Sequence, residues 1–199
     1  MLGLPKSTEI SRQLPKKAIY DKFELKSSDR QRFDDNISRI TLVNEVSPKT
    51  TAIAAGETVK AFFVALVTLK STDCDPKNIQ LLTKLIPQNM LYVLEYDGST
   101  RLAVYRTKLL QTEPKPPTEL TVSLAGLNLD DVWHNIVIQI SGTTMAEGRT
   151  LDEQLAADEE RAKLLRRIEQ LEKQARSEKQ PRRKWELAEE AKKLKQSLS

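Results

Sequence analysis

A chain of 199 residues, 39% hydrophobic and 30% charged, is long enough for one sizeable core plus an appendage, and too polar to be core throughout. No stretch approaches the roughly eighteen apolar residues of a membrane span, and the start lacks an apolar run of signal-peptide length. The single cysteine, Cys74, excludes an internal disulfide and fits a reducing cytoplasm, which is the expected location.

Residues 1–27 hold two prolines, scattered lysines and isolated apolar residues. They read as an extended arm laid over the domain through Leu4, Leu14, Ile19, Tyr20, Phe23 and Leu25; a basic arm that follows DNA is the alternative. A helix is expected from Ser28, where Ser28 and Gln31 have capping-box spacing and Phe33, Ile37 and Ile40 mark an apolar face. Ser47-Pro48 stops it, because the residue before a proline avoids the helical region.

Residues 58–69, "TVKAFFVALVTL", are apolar on both alternating faces, the pattern of a strand inside a sheet. Asp75-Pro76 supplies an N-cap followed by proline at the first helical position, and the helix "PKNIQLLTKLI" runs to Pro87. "NMLYVLEYDGSTRLAVYRTK" is two strand-like runs around Asp97-Gly98, a strong hairpin signal. "TEPKPPTE" is a surface loop and "LTVSLA" a candidate edge strand. "LDDVWHNIVIQI", residues 129–140, is a short helix that buries Leu129, Val132, Trp133, Ile136, Val137 and Ile140. "SGTTMAEG" is small, polar and aperiodic, a linker.

The tail has the clearest periodicity. Ala157, Arg161, Leu164, Ile168, Leu171 and Ala175 follow spacings of 4-3-4-3-4, and Leu187, Ala191, Leu194 and Leu198 follow 4-3-4. The second set lies two positions out of phase with the first, so two helices breaking near Pro181 are expected. Charge is split along it. Residues 151–160 hold five acids and no base; residues 161–199 hold six acids and thirteen bases. The break, "RSEKQPRRKW", carries Arg176, Lys179, Arg182, Arg183 and Lys184 beside Trp185.

Chemistry is harder to find. His134 is the one histidine, which excludes a histidine metal cluster; beside Trp133 it reads as structural. Acidic neighbours should raise the Cys74 thiol rather than activate it. Neither GxxxxGK[ST] nor GxGxxG occurs, so nucleotide hydrolysis is unsupported and no cofactor is expected. Glu57, Asp73, Asp75 and Glu95 lie near strand ends, but no acid-x-lysine pair accompanies them on a strand. A metal-dependent nuclease is therefore the third reading.

The segments "LGLPKST", "LPKKAIYDKF", "SDRQRFDDNISRITLVNEVSPKT", "IPQNMLYVLE" and "EKQPRRKWELAEEAKKLKQSL" resemble a prokaryotic family, the domain of unknown function 4391 family. The similarity spans nearly the whole chain. None of these motifs is catalytic, so the resemblance implies no active-site residues. Members are often encoded beside helicases and DNA methyltransferases of restriction or phage-defence type, which implies a protein of that kind as a partner.

The expected architecture is α+β: a mixed sheet with a β-α-β unit and a hairpin, flanking helices, and a C-terminal helical hairpin. The expected domains are residues 1–141, a linker 142–150 and the hairpin 151–199. The expected function is a non-enzymatic interaction subunit of a DNA-processing or defence assembly. Its partner surface would comprise Leu164, Ile168, Leu171, Trp185, Leu187, Leu194 and Leu198, and association of two copies through the tail is open. If fully buried those leucines are worth about 1.5–3 kcal/mol each, more cover than a lone two-helix hairpin supplies. The alternative is a nucleic-acid-binding module that uses Arg176, Lys179, Arg182, Arg183 and Lys184 together with the N-terminal arm.

Overall fold

The computed structural model describes residues 2–197, and the chain divides into two compact units after Gly142. The first is built on one six-stranded mixed sheet in simple sequence order. Its strands are β1 (Glu9–Gln13), β2 (Ile37–Val46), β3 (Phe62–Leu69), β4 (Asn89–Tyr96), β5 (Ser99–Tyr105) and β6 (Leu109–Gln111). Adjacent pairs are antiparallel except β3 and β4, which run parallel and are joined through helix α3 (Pro76–Leu85).

β3 lies inside the sheet because both of its faces are apolar. It pairs with β2 on one side (Thr41 with Leu66) and β4 on the other (Val64 with Leu91). Side chains alternate across a strand, so β3 feeds two core layers. Ala65, Val67 and Leu69 join Ile40, Leu42, Tyr92, Leu94 and Ala103 under Ile19, Phe33, Ile79 and Leu82. Those four come from α1 (Lys16–Phe23), α2 (Ser27–Asn36) and α3. From the other face, Phe62 meets Trp133 at 5.3 Å between ring centroids. Trp133 lies on α4 (Leu129–Ser141), whose six expected core residues are all buried.

Local signals act where they were read. Asp75 accepts the Lys77 N–H with Pro76 in the first turn of α3. Asp97 and Gly98 close the β4–β5 hairpin with φ of 47° and 73°, the left-handed pair that a two-residue type I′ turn requires. Asn128 accepts the N–H groups of Asp130 and Asp131 to start α4, and Gly142 ends it at φ 66°.

Five expectations need correction. The helix from Ser28 ends at Asn36, and residues 37–46 are β2. A register shift between Ile37 and Arg39 buries Ile37 and Ile40 three residues apart, and that imitates a helical face. No side chain caps α2, whose N-cap is Lys26 rather than Ser28. The N-terminal arm is not merely extended: it holds β1 and α1, and Ile19 is wholly buried. "LTVSLA" buries Leu120 and Val122 but forms no strand. The short β6 takes that edge, and the Val122 N–H bonds to the Leu2 carbonyl. The expected strand over 58–69 begins only at Phe62, because a carboxylate holds the preceding residues.

That carboxylate is Asp130, in the first turn of α4. It accepts the N–H groups of Glu57, Thr58 and Val59, at 2.6, 3.2 and 2.7 Å, and the Thr58 hydroxyl at 2.7 Å. The Thr58 hydroxyl first, then the backbone donors, hold its pKa down to about 2. Gly56 makes the approach possible, since a Cβ there would stand 2.3 Å from the Asp130 Cγ. Gly56→Ala should therefore expel the carboxylate and lower the melting temperature of the first unit, which differential scanning calorimetry would register. The depressed pKa means that the carboxylate stabilises the fold above the ordinary range near pH 4 and stops doing so as pH falls through about 2. Asp130→Asn should flatten the loss of melting temperature across that window.

Candidate functional site

The second unit is a hairpin of α5 (Leu151–Ser177) and α6 (Pro181–Gln196). Thr150 starts α5 with a capping box: its hydroxyl takes the Glu153 N–H, and the Glu153 carboxylate takes the Thr150 N–H. The chain breaks at residues 178–180 and resumes with Pro181 in the first turn of α6, where its missing N–H costs nothing. Glu178 makes the corner. Its carboxylate accepts the backbone N–H groups of Lys179 and Gln180, at 2.8 and 3.0 Å. The Gln180 bond, more than any other cause, keeps its pKa below the usual carboxylate range. The negative charge also lies at the positive end of the α6 dipole.

Two ion pairs flank the seam between the helices, Arg167 with Glu190 at 3.2 Å and Lys195 with Glu172. The Lys195 contact depresses the Glu172 pKa. Ile168, Leu171, Ala175 and Ala191 are buried, and with α5 packed on α6 they form the hairpin's own core. The expected partner surface thus separates into parts. Ile168 and Leu171 are consumed inside the hairpin, while Leu164, Leu187 and Leu194 are half-buried. Leu198 lies outside the described residues.

Trp185, one of the expected partner residues, is 66% exposed in this chain. Helical geometry explains it. Two residues before Leu187, Trp185 is turned about 160° from it, on the outer face of α6 with Arg182, Glu189 and Lys192. The spacing of the second helix alone contained this information, because Trp185 is outside the series Leu187, Ala191 and Leu194. The exposed Leu165, at 52%, is another residue that the seam passes over.

The five cations of the corner are exposed, yet they do not form an unbroken patch. Arg182 pairs with Glu186 at 3.2 Å, Arg183 with Glu178 at 3.6 Å, and Arg176 lies 4.0 Å from Glu172. At these solvent-facing positions each pair is worth little in stability. Their effect is to mix acids into the positive field.

Of the four carboxylates considered for a nuclease site, one has a structural duty. Asp75 caps α3 and lies 3.2 Å from Arg32. The Asp73 carbonyl accepts from the Asn36 amide at 2.6 Å. Glu57 is exposed and Glu95 half-buried on β4. Among the described residues no three of His, Cys, Asp or Glu converge as a metal would need. Burial first, and Asp75 second, raise the Cys74 thiol to about 12, so it is protonated at neutral pH. Among the described residues no helix is long and apolar enough to cross a membrane.

An α+β unit of this topology, followed in sequence by a helical hairpin, defines the class of protein by its architecture. A family model described as a domain of unknown function (DUF4391) matches residues 2–198, and the chain belongs to that family. No curated protein matches the chain, and no solved structure does.

The hairpin core yields one expected outcome. Leu171 is 1% exposed, so Leu171→Ala should remove about 2–4 kcal/mol from hairpin stability. Amide hydrogen exchange should speed up through α5 and α6 while the β-sheet amides keep their protection.

Proposed function

We propose that the chain is a non-enzymatic interaction subunit that grips a protein partner with the outer face of α6, Trp185 serving as the anchor. The observation that carries this reading is a tryptophan 66% exposed on a helix already seamed to its neighbour by other residues. Tryptophan and arginine dominate the energetics of protein interfaces, and Arg182 shares this face. An indole kept wet gives up a large apolar contact, which burial against a partner recovers.

The family resemblance suggests a DNA-processing or defence assembly as the setting, with a helicase or DNA methyltransferase as the partner. The corner cations then serve as a rim around Trp185. The acids Glu178 and Glu186 among them suit a protein surface with charges of both signs better than a phosphate backbone.

The test compares the wild-type chain, Trp185→Ala, and the triple change Arg182→Gln, Arg183→Gln, Lys184→Gln as bait for the nuclease-treated host extract. Binding to single-stranded and duplex DNA is measured across a salt series in parallel. Trp185→Ala should lower partner recovery at least tenfold, and recovery by the wild type should persist at high salt. If instead the triple change abolishes a steeply salt-dependent DNA affinity and leaves recovery untouched, the corner is a nucleic-acid contact and the partner reading fails.

A further inference from the structure

A cavity of about 240 Å³ opens where β3 gives way to the connection that leads into α3. This is the carboxyl end of the parallel pair β3 and β4, the side on which ligands enter sheets of parallel strands. Its floor is apolar. Leu94 and Tyr96 alternate onto the helix-covered face of β4, and Leu69 lies beside them on β3. The hairpin register then brings polar groups to the same floor. Arg101 pairs with Leu94 and Ser99 with Tyr96 across β4 and β5, and residues directly opposite share a face. Asp97, at the turn, and Thr72, in the connection to α3, complete the wall.

Arg101 is the informative residue. It is half-buried, yet among the described residues its guanidinium makes no ion pair and no hydrogen bond. The Asp97 carboxylate and the hydroxyls of Thr72 and Ser99 have no such partner either. Other partly covered cations of this unit are answered by the chain: Lys16 by Asp34, Arg32 by Asp75. A guanidinium withdrawn from water without a partner is unfavourable. Its planar fork of donors fits a carboxylate through two parallel bonds. A simple inorganic anion would satisfy Arg101 but would face Asp97 and leave the apolar floor uncovered. A ligand that carries both charges and an apolar body meets all three.

We propose that this cavity binds a free α-amino acid with an apolar side chain. The carboxylate lies on Arg101, the ammonium on Asp97, and the side chain over Leu69, Leu94 and Tyr96. Size agrees with this class. The cavity is smaller than the roughly 300–1,000 Å³ that drug-sized ligands occupy, so a nucleotide does not fit inside it. The site belongs wholly to the first unit, and Trp185 takes no part in it.

Isothermal titration calorimetry of the full chain with L-leucine, L-methionine and L-phenylalanine should show saturable binding of at least one. Analogues of the best binder that lack one charge should each bind at least tenfold more weakly; for leucine these are isocaproate and isoamylamine. Arg101→Gln and Asp97→Asn should each weaken binding at least tenfold. Asparagine suits the first place of a type I′ turn, so Asp97→Asn removes the charge and keeps the hairpin. Amide chemical shifts should move at residues 69–72 and 94–101 and stay fixed in α5 and α6. No binding of any of the three at about 10 mM overturns the proposal. So does a singly charged analogue that binds as well as its amino acid, an affinity indifferent to Arg101→Gln, or shifts confined to the tail. The analogue comparison uses the wild-type chain and therefore decides the matter even where a variant misfolds.

Discussion

The clasp on the Asp130 carboxylate fixes the first unit. Residues 57–59 precede the central strand and Asp130 opens the helix on the other face, so one side chain ties together segments more than seventy residues apart. Three N–H groups that a loop would otherwise offer to water converge on it. The arrangement resembles an anion site at a backbone nest, except that the anion comes from the same polypeptide. With that loop pinned, β3 enters the sheet at Phe62 and sets Phe62 against Trp133.

Much of the architecture was legible because it is written locally. Asp75-Pro76, Asp97-Gly98 and the spacing of Leu129 through Ile140 each act within one or two turns of chain, and each forms the element that it signals. The slip of the heptad at Pro181 also reads directly as a break. The illegible parts depend on distant partners. β2 went unrecognised because a bulge gave its first residues a three-residue spacing, and its pairing with β3 was not available from periodicity. β1, α1 and β6 are short, and tertiary contacts make them. Nothing near Asp130 in sequence announces its donors.

The candidate surface was half legible for a related reason. Heptad spacing identifies residues that turn toward a neighbouring helix, and in a hairpin the first neighbour is the chain itself. Ile168 and Leu171 thus satisfy the pattern inside the tail. Leu165 and Trp185 break the pattern, and these are the large apolar groups left in contact with water.

The ends of the sheet bear on how the protein behaves when crowded. β1 is Glu9–Gln13, with charged or polar residues at every position but Ile10, and β6 is three residues long. A row of unpaired backbone groups invites a further strand from a neighbouring molecule, and charge or brevity is what blunts the invitation. A stranger's strand would align with Glu9 and Arg12 at one margin and run out of ladder after three residues at the other. Strand-by-strand growth of the sheet from either margin is therefore disfavoured.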